Sequence, residues 1–211
     1  MEIIRRDAND ETLWENGEVL QRYKFNPILE AKKDHFWESK MVYNAAVFKL
    51  DGINYIVYRA IGHDHISRLG LAWTKNGVDI IGRLPFPIFE PTQDYEYPSD
   101  KNKAVRPREK GGCEDPRITL IGDTIYMLYT AYNELCQTAM ASIKIDDFKE
   151  LVSKSIFGDY QKECQIRETW DRRWNRHGLV FPENVERKIF SRNACLFPIE
   201  VDGKIEKYAL I

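Results

Sequence analysis

Apolar and polar positions along the chain form three similar segments, residues 44–59, 115–129 and 193–208. Each segment begins with a polar residue and contains two apolar runs. An Asp-Gly or Gly-Asp pair separates the two runs, and glycine supplies the positive φ that a tight hairpin turn needs. The pattern therefore predicts three β-hairpins.

Further strand-like runs lie between these hairpins, for example residues 67–74 and 138–145. Four strands per repeat are typical of the blades of a β-propeller. We therefore predict an all-β fold, a β-propeller with blade starts near Asn44, Asp115 and Asn193. A β-sandwich is the alternative, but a sandwich does not require the same kind of polar residue at each repeat start.

The third hairpin has barely returned at Ile211, whereas a propeller must close into a ring to protect its sheet edges. We therefore expect residues 1–211 to form a single, incomplete propeller domain that covers roughly the first two to three blades. A complementing C-terminal segment or a homo-oligomer would supply the rest. Between the second and third hairpins, the spacing of Phe148, Leu151, Val152 and Ile156 predicts a short helix.

Charge and cysteine content narrow the classes of partner and compartment. The 31 basic and 33 acidic residues leave a formal charge of −2, which favours neither nucleic acid nor an anionic membrane as partner. No apolar run approaches the roughly 20 residues that span a bilayer. The four cysteines are far apart and the N-terminus is charged, so we expect reduced thiols, no metal site and a cytoplasmic protein.

The first residues of innermost propeller strands point toward one mouth of the central channel, so the repeat starts are candidates for a binding site. They place Asn44, Asp115 and Asn193 there, with Arg59 at the end of the first hairpin. Amide, carboxylate and guanidinium groups suit recognition of sugar hydroxyls. Strand alternation predicts that Glu114 faces away from Asp115. The structural alternative for Asp115 is a turn cap at a strand start.

The motif at residues 112–118, Gly-Cys-Glu-Asp-Pro-Arg-Ile, followed by Tyr-Thr-Ala-Tyr at residues 129–132, resembles the signature of glycoside hydrolase family 130. This family contains β-mannoside phosphorylases and related hydrolases. Weaker matches occur in the family's order at residues 26–29, 44–47, 58–60, 67–72 and 196–198. The resemblance covers the chain from about Asn26 to its end.

The resemblance implies a five-bladed propeller that phosphorolyses β-mannosides with inversion and needs no cofactor. Asp115 would be the catalytic acid, and its proton would reach the glycosidic oxygen through a sugar hydroxyl. Inorganic phosphate, the co-substrate, would attack from the opposite face and give mannose 1-phosphate. Asn44 and Arg59 match the sugar-orienting residues of the family, and we also predict a substrate contact for Arg117 of the motif.

Phosphate binding is expected at Arg176 and at Arg192, where Arg192 replaces a family lysine. Arginine is suited to this because its planar guanidinium can bind phosphate in a bidentate manner. The alternative is that both are surface residues.

Three other functions remain open at this point. They are a β-mannoside hydrolase of the same family, a furanosidase-type propeller, and an inactive or truncated sugar-binding propeller. Furanosidases of that type use an aspartate at the first repeat start, and Asn44 stands there. The linkage of the mannoside is not determined by these residues.

Overall fold

The computed structural model describes residues 24–97, 110–157, 163–202 and 204–211. Two four-stranded antiparallel units account for most of it. The first consists of β1 (Met41–Leu50), β2 (Ile53–Ile61), β3 (Ser67–Thr74) and β4 (Ile80–Arg83). The second consists of β5 (Gly112–Ile121), β6 (Thr124–Tyr132), β7 (Cys136–Lys144) and β8 (Asn175–Leu179). Sheet dominates the described residues, which confirms the prediction of an all-β class.

The first two predicted hairpins are β1–β2 and β5–β6, and the third is β9 (Leu196–Val201) with β10 (Lys204–Leu210). In the first turn, Asp51 and Gly52 have φ values of 49° and 78°. Positive φ at both central residues matches the right-handed twist of the flanking strands, so the Asp-Gly signal identified the turn correctly.

One parallel pair, Ser67 of β3 with Gly112 of β5, joins the two units into a common sheet. Gly112 has a φ of 125°, and a Cβ built on it would lie 2.2 Å from the Ser67 carbonyl oxygen. Only glycine fits this close approach of two backbones. The joint therefore depends on one residue without a side chain.

The main hydrophobic core lies between the two units. Val57, Leu69 and Leu71 of the first unit and Ile125 and Met127 of the second are fully buried in it. Because both units contribute one apolar face to the same core, each covers surface that the other would leave in contact with water.

The described residues also contain three α-helices, α1 (Ile145–Phe157), α2 (Glu163–Arg173) and α3 (Glu183–Arg187), and two short 3-10 helices, Phe36–Glu38 and Asp94–Glu96. The predicted helix is α1, and its Phe148 is buried at 1% exposure with edge-on contacts to Phe48, Tyr55 and Trp170. These aromatic contacts attach a helix of the second unit to the first hairpin. Among the described residues, no helix has the length and apolar character needed to cross a membrane.

Candidate active site

Matching β-bulges interrupt the first strand of each unit, β1 and β5. Between the regular pairs on either side, Asn44 and Ala45 oppose Tyr58 alone, and Asp115 and Pro116 oppose Tyr129 alone. Two residues opposite one define a bulge, and the extra residue makes no regular ladder bond. Proline has no N–H to donate. It is tolerated at such a position because the bulge needs no ladder hydrogen bond there.

The first residue of each bulge has a left-handed backbone, with φ of 47° at Asn44 and 48° at Asp115. Asparagine and aspartate adopt this conformation more readily than other non-glycine residues. Asn193, ahead of the third hairpin, has the same conformation with φ of 61°. The polar repeat starts seen in the sequence are thus the residues at which the backbone turns out of strand geometry.

The two bulges bring Asn44 and Asp115 into direct contact. The Asn44 Nδ2 group donates to Asp115 Oδ1 at 2.8 Å, and Arg59 Nη1 donates to the same oxygen at 3.3 Å. Three of the residues predicted to share a site therefore meet, although 71 residues separate Asn44 from Asp115.

Arg59 is 4% exposed and links two carboxylates. Its Nη2 donates to Glu114 Oε1 at 2.6 Å, while its Nε donates to Ser67 Oγ at 3.1 Å. The Ser67 hydroxyl in turn donates to Glu114 Oε1 at 3.1 Å. The ring of Tyr43 lies 4.8 Å from the guanidinium carbon. Arg59 is therefore a buried cation that fixes the position of the acid-bearing bulge.

Glu114 was expected to face away from Asp115, and this prediction is wrong. Both carboxylates contact the same guanidinium, that of Arg59. The left-handed backbone at Asp115 breaks the alternation of side chains on which the expectation depended. Glu114 and Ser67 are thus residues of the cluster that the sequence reasoning missed. Glu114 stands next to Asp115 in the motif at residues 112–118, and this is the signal that could have found it.

The carboxyl group of Asp115 is held on one side only. Its Oδ1 accepts from Asn44 and Arg59, and Oδ2 has no hydrogen-bond partner among the described residues. The side chain is 15% exposed, and Asn44 beside it is exposed. One oxygen is therefore fixed while the other is open to an incoming hydroxyl group.

An open cavity of about 650 Å³ begins beside this cluster, on the face of the first unit that points away from the second. Tyr43, Asn44 and Tyr58 line it together with Ile28 and Leu29, whereas Asp115 does not. The cavity is consequently adjacent to the acid but does not contain it.

Arg117 and Asn193, two further residues singled out in the sequence, lie apart from this cluster. Arg117 is half-buried on β5, where its Nη1 donates to the Pro116 carbonyl oxygen at 2.9 Å. Asn193 is exposed and makes no side-chain hydrogen bond among the described residues. A substrate contact for Arg117 stays a prediction.

Arg176 of β8 lies in a buried network that joins the second unit to the segment after β4. Its Nη1 donates to Glu96 at 2.6 Å, and its Nη2 donates to Asp171 at 2.7 Å and to the Glu90 carbonyl oxygen at 2.6 Å. The guanidinium also stacks 3.8 Å from the ring centre of Phe89. An anion at Arg176 would compete with two carboxylates, so phosphate binding there stays a prediction.

The same network ties down the residue opposite the Asp115 bulge. The Tyr129 hydroxyl donates to Glu96 at 2.6 Å, and Glu96 is fully buried. Burial, followed by the neighbouring Cys113 and Glu96, raises the pKa of Tyr129 well above its usual value. Burial and Glu96 likewise raise the pKa of the Cys113 thiol. Both groups therefore stay protonated at neutral pH.

The first unit repeats this arrangement with different residues. Tyr58, opposite the Asn44 bulge, donates to the fully buried Glu38 at 2.8 Å, and Glu38 also pairs with Arg83 of β4. In both units the tyrosine facing the bulge is tied to a buried glutamate and to an arginine of the fourth strand. We call this set the Tyr-Glu-Arg tie.

Arg192, the second predicted phosphate ligand, is exposed in the segment between α3 and β9. The neighbouring Ser191 contacts β7, where its Oγ accepts from the Thr138 N–H at 3.0 Å. Arg192 therefore stays a prediction.

Comparison with known proteins bears on the family of the chain. A family model for glycoside hydrolase family 130, described as beta-1,4-mannooligosaccharide phosphorylase, matches residues 14–205. The chain belongs to glycoside hydrolase family 130. The match includes both bulges and the Glu114–Asp115 pair, so the family assignment rests on the part of the chain that builds the site.

Two curated relatives come from Thermoanaerobacter sp. (strain X514). A 1,2-beta-oligomannan phosphorylase is 29% identical over 194 residues, which cover 88% of this chain and 51% of the relative. A beta-1,2-mannobiose phosphorylase is 33% identical over 115 residues, or 54% of this chain and 37% of the relative. The chain thus spans about half the length of the first of these relatives.

Solved structures support the fold of this family 130 chain. A glycosyl hydrolase from Bacteroides ovatus superposes with a TM-score of 0.59 at 22% identity, covering 91% of this chain and 52% of that one. A structure from work on GH130 glycoside hydrolases that target beta-1,2 mannosidic linkages in Candida mannan has a TM-score of 0.57 at 24% identity, covering 88% and 50%. At these identities the likeness concerns the fold alone.

Proposed function

We propose that this chain carries the acid-bearing part of an inverting β-mannoside phosphorylase. The observation that supports this most directly is the Asp115 carboxyl group, with Oδ1 fixed by Asn44 and Arg59 and Oδ2 open. A single general acid and an external nucleophile are sufficient for an inverting displacement. The family membership and the names of the curated relatives point to β-mannosides as the substrate class.

In the proposed reaction the proton leaves from Asp115 Oδ2, because Oδ1 is already occupied by two donors. The proton passes to a hydroxyl of the bound mannose, whose own proton moves to the glycosidic oxygen. A phosphate oxygen forms a bond to the anomeric carbon from the opposite face as the bond to the leaving sugar breaks. The products are mannose 1-phosphate of inverted configuration and the shortened saccharide.

The architecture we propose is a five-bladed β-propeller of which the two four-stranded units are blades. Two features support it. Each unit begins with a bulged strand whose first bulge residue faces the shared site, and the units meet side by side through a single parallel pair. The β9–β10 hairpin would begin a third blade.

The test is incubation of the purified protein with β-1,2-mannobiose in the presence and absence of inorganic phosphate. We expect mannose 1-phosphate to form only with phosphate. Asp115→Asn should lower the rate by about 10²–10⁴-fold, the usual worth of a general acid. Asp123→Asn, which changes an exposed aspartate in the turn of the same hairpin, is the matched control and should keep the activity.

Other outcomes would identify other functions. Release of free mannose without phosphate would make the protein a hydrolase. Calorimetric binding of mannobiose with no turnover would make it a sugar-binding protein. Full activity of Asp115→Asn would remove Asp115 from the role of acid.

A further inference from the structure

An exposed aromatic side chain lies at the end of β1 and β2 that is nearest the candidate site. Phe36 is 59% exposed and belongs to the 3-10 helix Phe36–Glu38, which ends two residues before β1. Pairing of β1 with β2 begins at Met41, and the contact of Tyr43 with Arg59 follows two residues later. Phe36 therefore lies beyond the cluster, at the same end of the sheet.

The backbone that carries Phe36 is firmly anchored although the ring is exposed. Trp37 is buried, and its Nε1 donates to the Pro85 carbonyl oxygen at 2.8 Å. Glu38 is fully buried and pairs with Arg83 of β4. A ligand that stacks on a ring held in this way has little chain ordering to offset, which favours binding.

A second ring, that of His63 in the β2–β3 loop, lies beside Phe36. The two ring centres are 5.8 Å apart, the ring planes meet at 39°, and His63 is also exposed. The His63 N–H donates to the Phe36 carbonyl oxygen at 3.1 Å. Gly62 allows this approach, because a Cβ built on it would lie 2.0 Å from the same oxygen. Backbone contacts thus fix the relative position of the two rings, which we call the aromatic pair.

A chain of ion pairs holds the β2–β3 loop from its other side. Asp64 pairs with Arg68 at 2.7 Å, Arg68 with Glu90 at 2.8 Å, and Glu90 with Arg167 of α2 at 2.7 Å. Asp64 Oδ1 also accepts from the Ile66 N–H at 3.2 Å. The Arg68 side chain is only 12% exposed, so salt screens its two pairs less than it screens surface pairs. The loop that carries the second ring is therefore braced against α2.

Polar groups accompany the aromatic pair. Lys40 is exposed, and its Nζ lies 2.5 Å from His65 Nε2 in the same loop. One face of a pyranose ring carries C–H groups and packs against the electron-rich face of an aromatic ring. Its hydroxyl groups need donors and acceptors at the margin. The aromatic pair with Lys40 and His65 offers both kinds of contact.

We infer that the aromatic pair binds a distal sugar ring of an oligosaccharide substrate. The inference rests on the proposed function, because it concerns the same saccharide. A strand rises about 3.3 Å per residue, so Met41 lies roughly 10 Å from Asn44 along β1, and Phe36 precedes Met41. A ring stacked on Phe36 is therefore not the ring next to Asp115. It belongs to a saccharide longer than the disaccharide.

The test compares β-1,2-mannobiose with β-1,2-mannotetraose in phosphorolysis by wild type and by Phe36→Ala. We expect kcat/KM for mannotetraose to fall about 2- to 10-fold in the variant, the usual worth of an aromatic contact. The loss should appear in KM with kcat unchanged, since a distal ring binds equally in the ground and transition states. The values for mannobiose should stay the same.

Calorimetry measures the same site without turnover. In the Asp115→Asn background, wild-type Phe36 should bind mannotetraose more tightly than mannobiose, and Phe36→Ala should lose that difference. His63→Ala should weaken mannotetraose binding in the same direction.

Two control variants separate stacking from a general loss of apolar surface. Phe36→Tyr keeps the ring and should keep the wild-type preference for the longer saccharide. Ile81→Ala removes a side chain that is 52% exposed on the outermost strand β4, and it should change neither saccharide's affinity.

Equal affinity of wild type and Phe36→Ala for mannotetraose would overturn the inference, as would a wild-type protein that binds mannotetraose no more tightly than mannobiose. If phosphorolysis and its loss in Asp115→Asn are observed at the same time, the proposed function stands and only the distal site falls. If mannotetraose binding depends on Phe36 but no phosphate-dependent turnover occurs, the distal site stands and the phosphorylase falls.

Discussion

At the scale of single residues, the candidate site depends on two left-handed backbone positions, Asn44 and Asp115. At each position the bulge turns a polar side chain out of the strand and toward the other unit. The side chain and the backbone conformation are linked, because asparagine and aspartate tolerate this region better than most residues. The Asp115 carboxyl group and its amide partner are thus held by local backbone geometry.

Replacing Asn44 by alanine and by glycine separates the two contributions. Both variants lose the hydrogen bond to Asp115, and we expect kcat/KM to fall about 2- to 10-fold, since a hydrogen bond between neutral groups contributes roughly 0.5–1.5 kcal/mol. Glycine accepts the φ of 47° freely, whereas alanine does not. Asn44→Ala should therefore unfold in urea with a free energy about 1 kcal/mol below that of Asn44→Gly. Equal stability of the two variants would contradict the strain argument.

At the scale of elements, the Tyr-Glu-Arg tie recurs in both units and holds the strand opposite each bulge. Glu96 accepts hydrogen bonds from Tyr129, Arg176 and the backbone of Thr92 and Gln93, so this fully buried carboxylate has partners at both oxygens. A buried charge is tolerated when it is paired and hydrogen-bonded in this way. The tie gives Arg176 a structural role whether or not it also binds phosphate.

Tyr129→Phe removes one donor from buried Glu96 and should lower the free energy of unfolding by about 1–3 kcal/mol. Tyr126→Phe is the control on the same strand, because its hydroxyl has no hydrogen bond among the described residues, and it should change little. Urea denaturation at neutral pH measures both. A Tyr129→Phe protein as stable as Tyr126→Phe would mean that the tie contributes nothing.

Tyr129→Phe should also change how the free energy of unfolding depends on pH. The folded state raises the pKa of Tyr129 well above 10.0, so above about pH 10 the unfolded chain loses a proton that the folded protein keeps. Stability then falls as pH rises, by about 1.4 kcal/mol per pH unit for one proton. Phenylalanine lacks this proton, so the deficit of Tyr129→Phe relative to wild type should shrink above pH 10.

At the scale of the whole molecule, the candidate-site cluster forms because two units pack side by side. Asn44 and Arg59 come from the first unit, and Glu114 and Asp115 come from the second. The parallel pair at Ser67 and Gly112 and the shared core hold the units in register. Any change that separates the units should therefore remove activity together with stability.

Gly112→Ala tests this joint. Its Cβ would collide with the Ser67 backbone, and φ of 125° is strained for alanine, so we expect a loss of about 2–4 kcal/mol in unfolding free energy and a strong loss of activity. Gly122→Ala is the matched control, since Gly122 also has positive φ but no atom within 4 Å of a built Cβ. It should cost about 1 kcal/mol and leave the rate unchanged. Equal effects in the two variants would show that the joint is not critical.

The sequence by itself determined the hairpins and α1, and it named Asn44 and Arg59 as neighbours of Asp115. The Asp-Gly and Gly-Asp pairs between apolar runs predict the hairpins, and the helical spacing of apolar residues predicts α1. The polar residues at the repeat starts identify Asn44 and Asp115. These features depend on neighbours within one element, so local patterns contain them. The family motif added the chemical role expected of Asp115.

Only the tertiary structure decided which charged side chains contact each other. The bulge that begins at Asp115 breaks the alternation of side chains, and both Glu114 and Asp115 contact Arg59. Arg176 meets Glu96 across 80 residues of sequence, a contact for which no local pattern exists. Electrostatic partnership depends on distance in space and on burial, and both are fixed when the two units pack together.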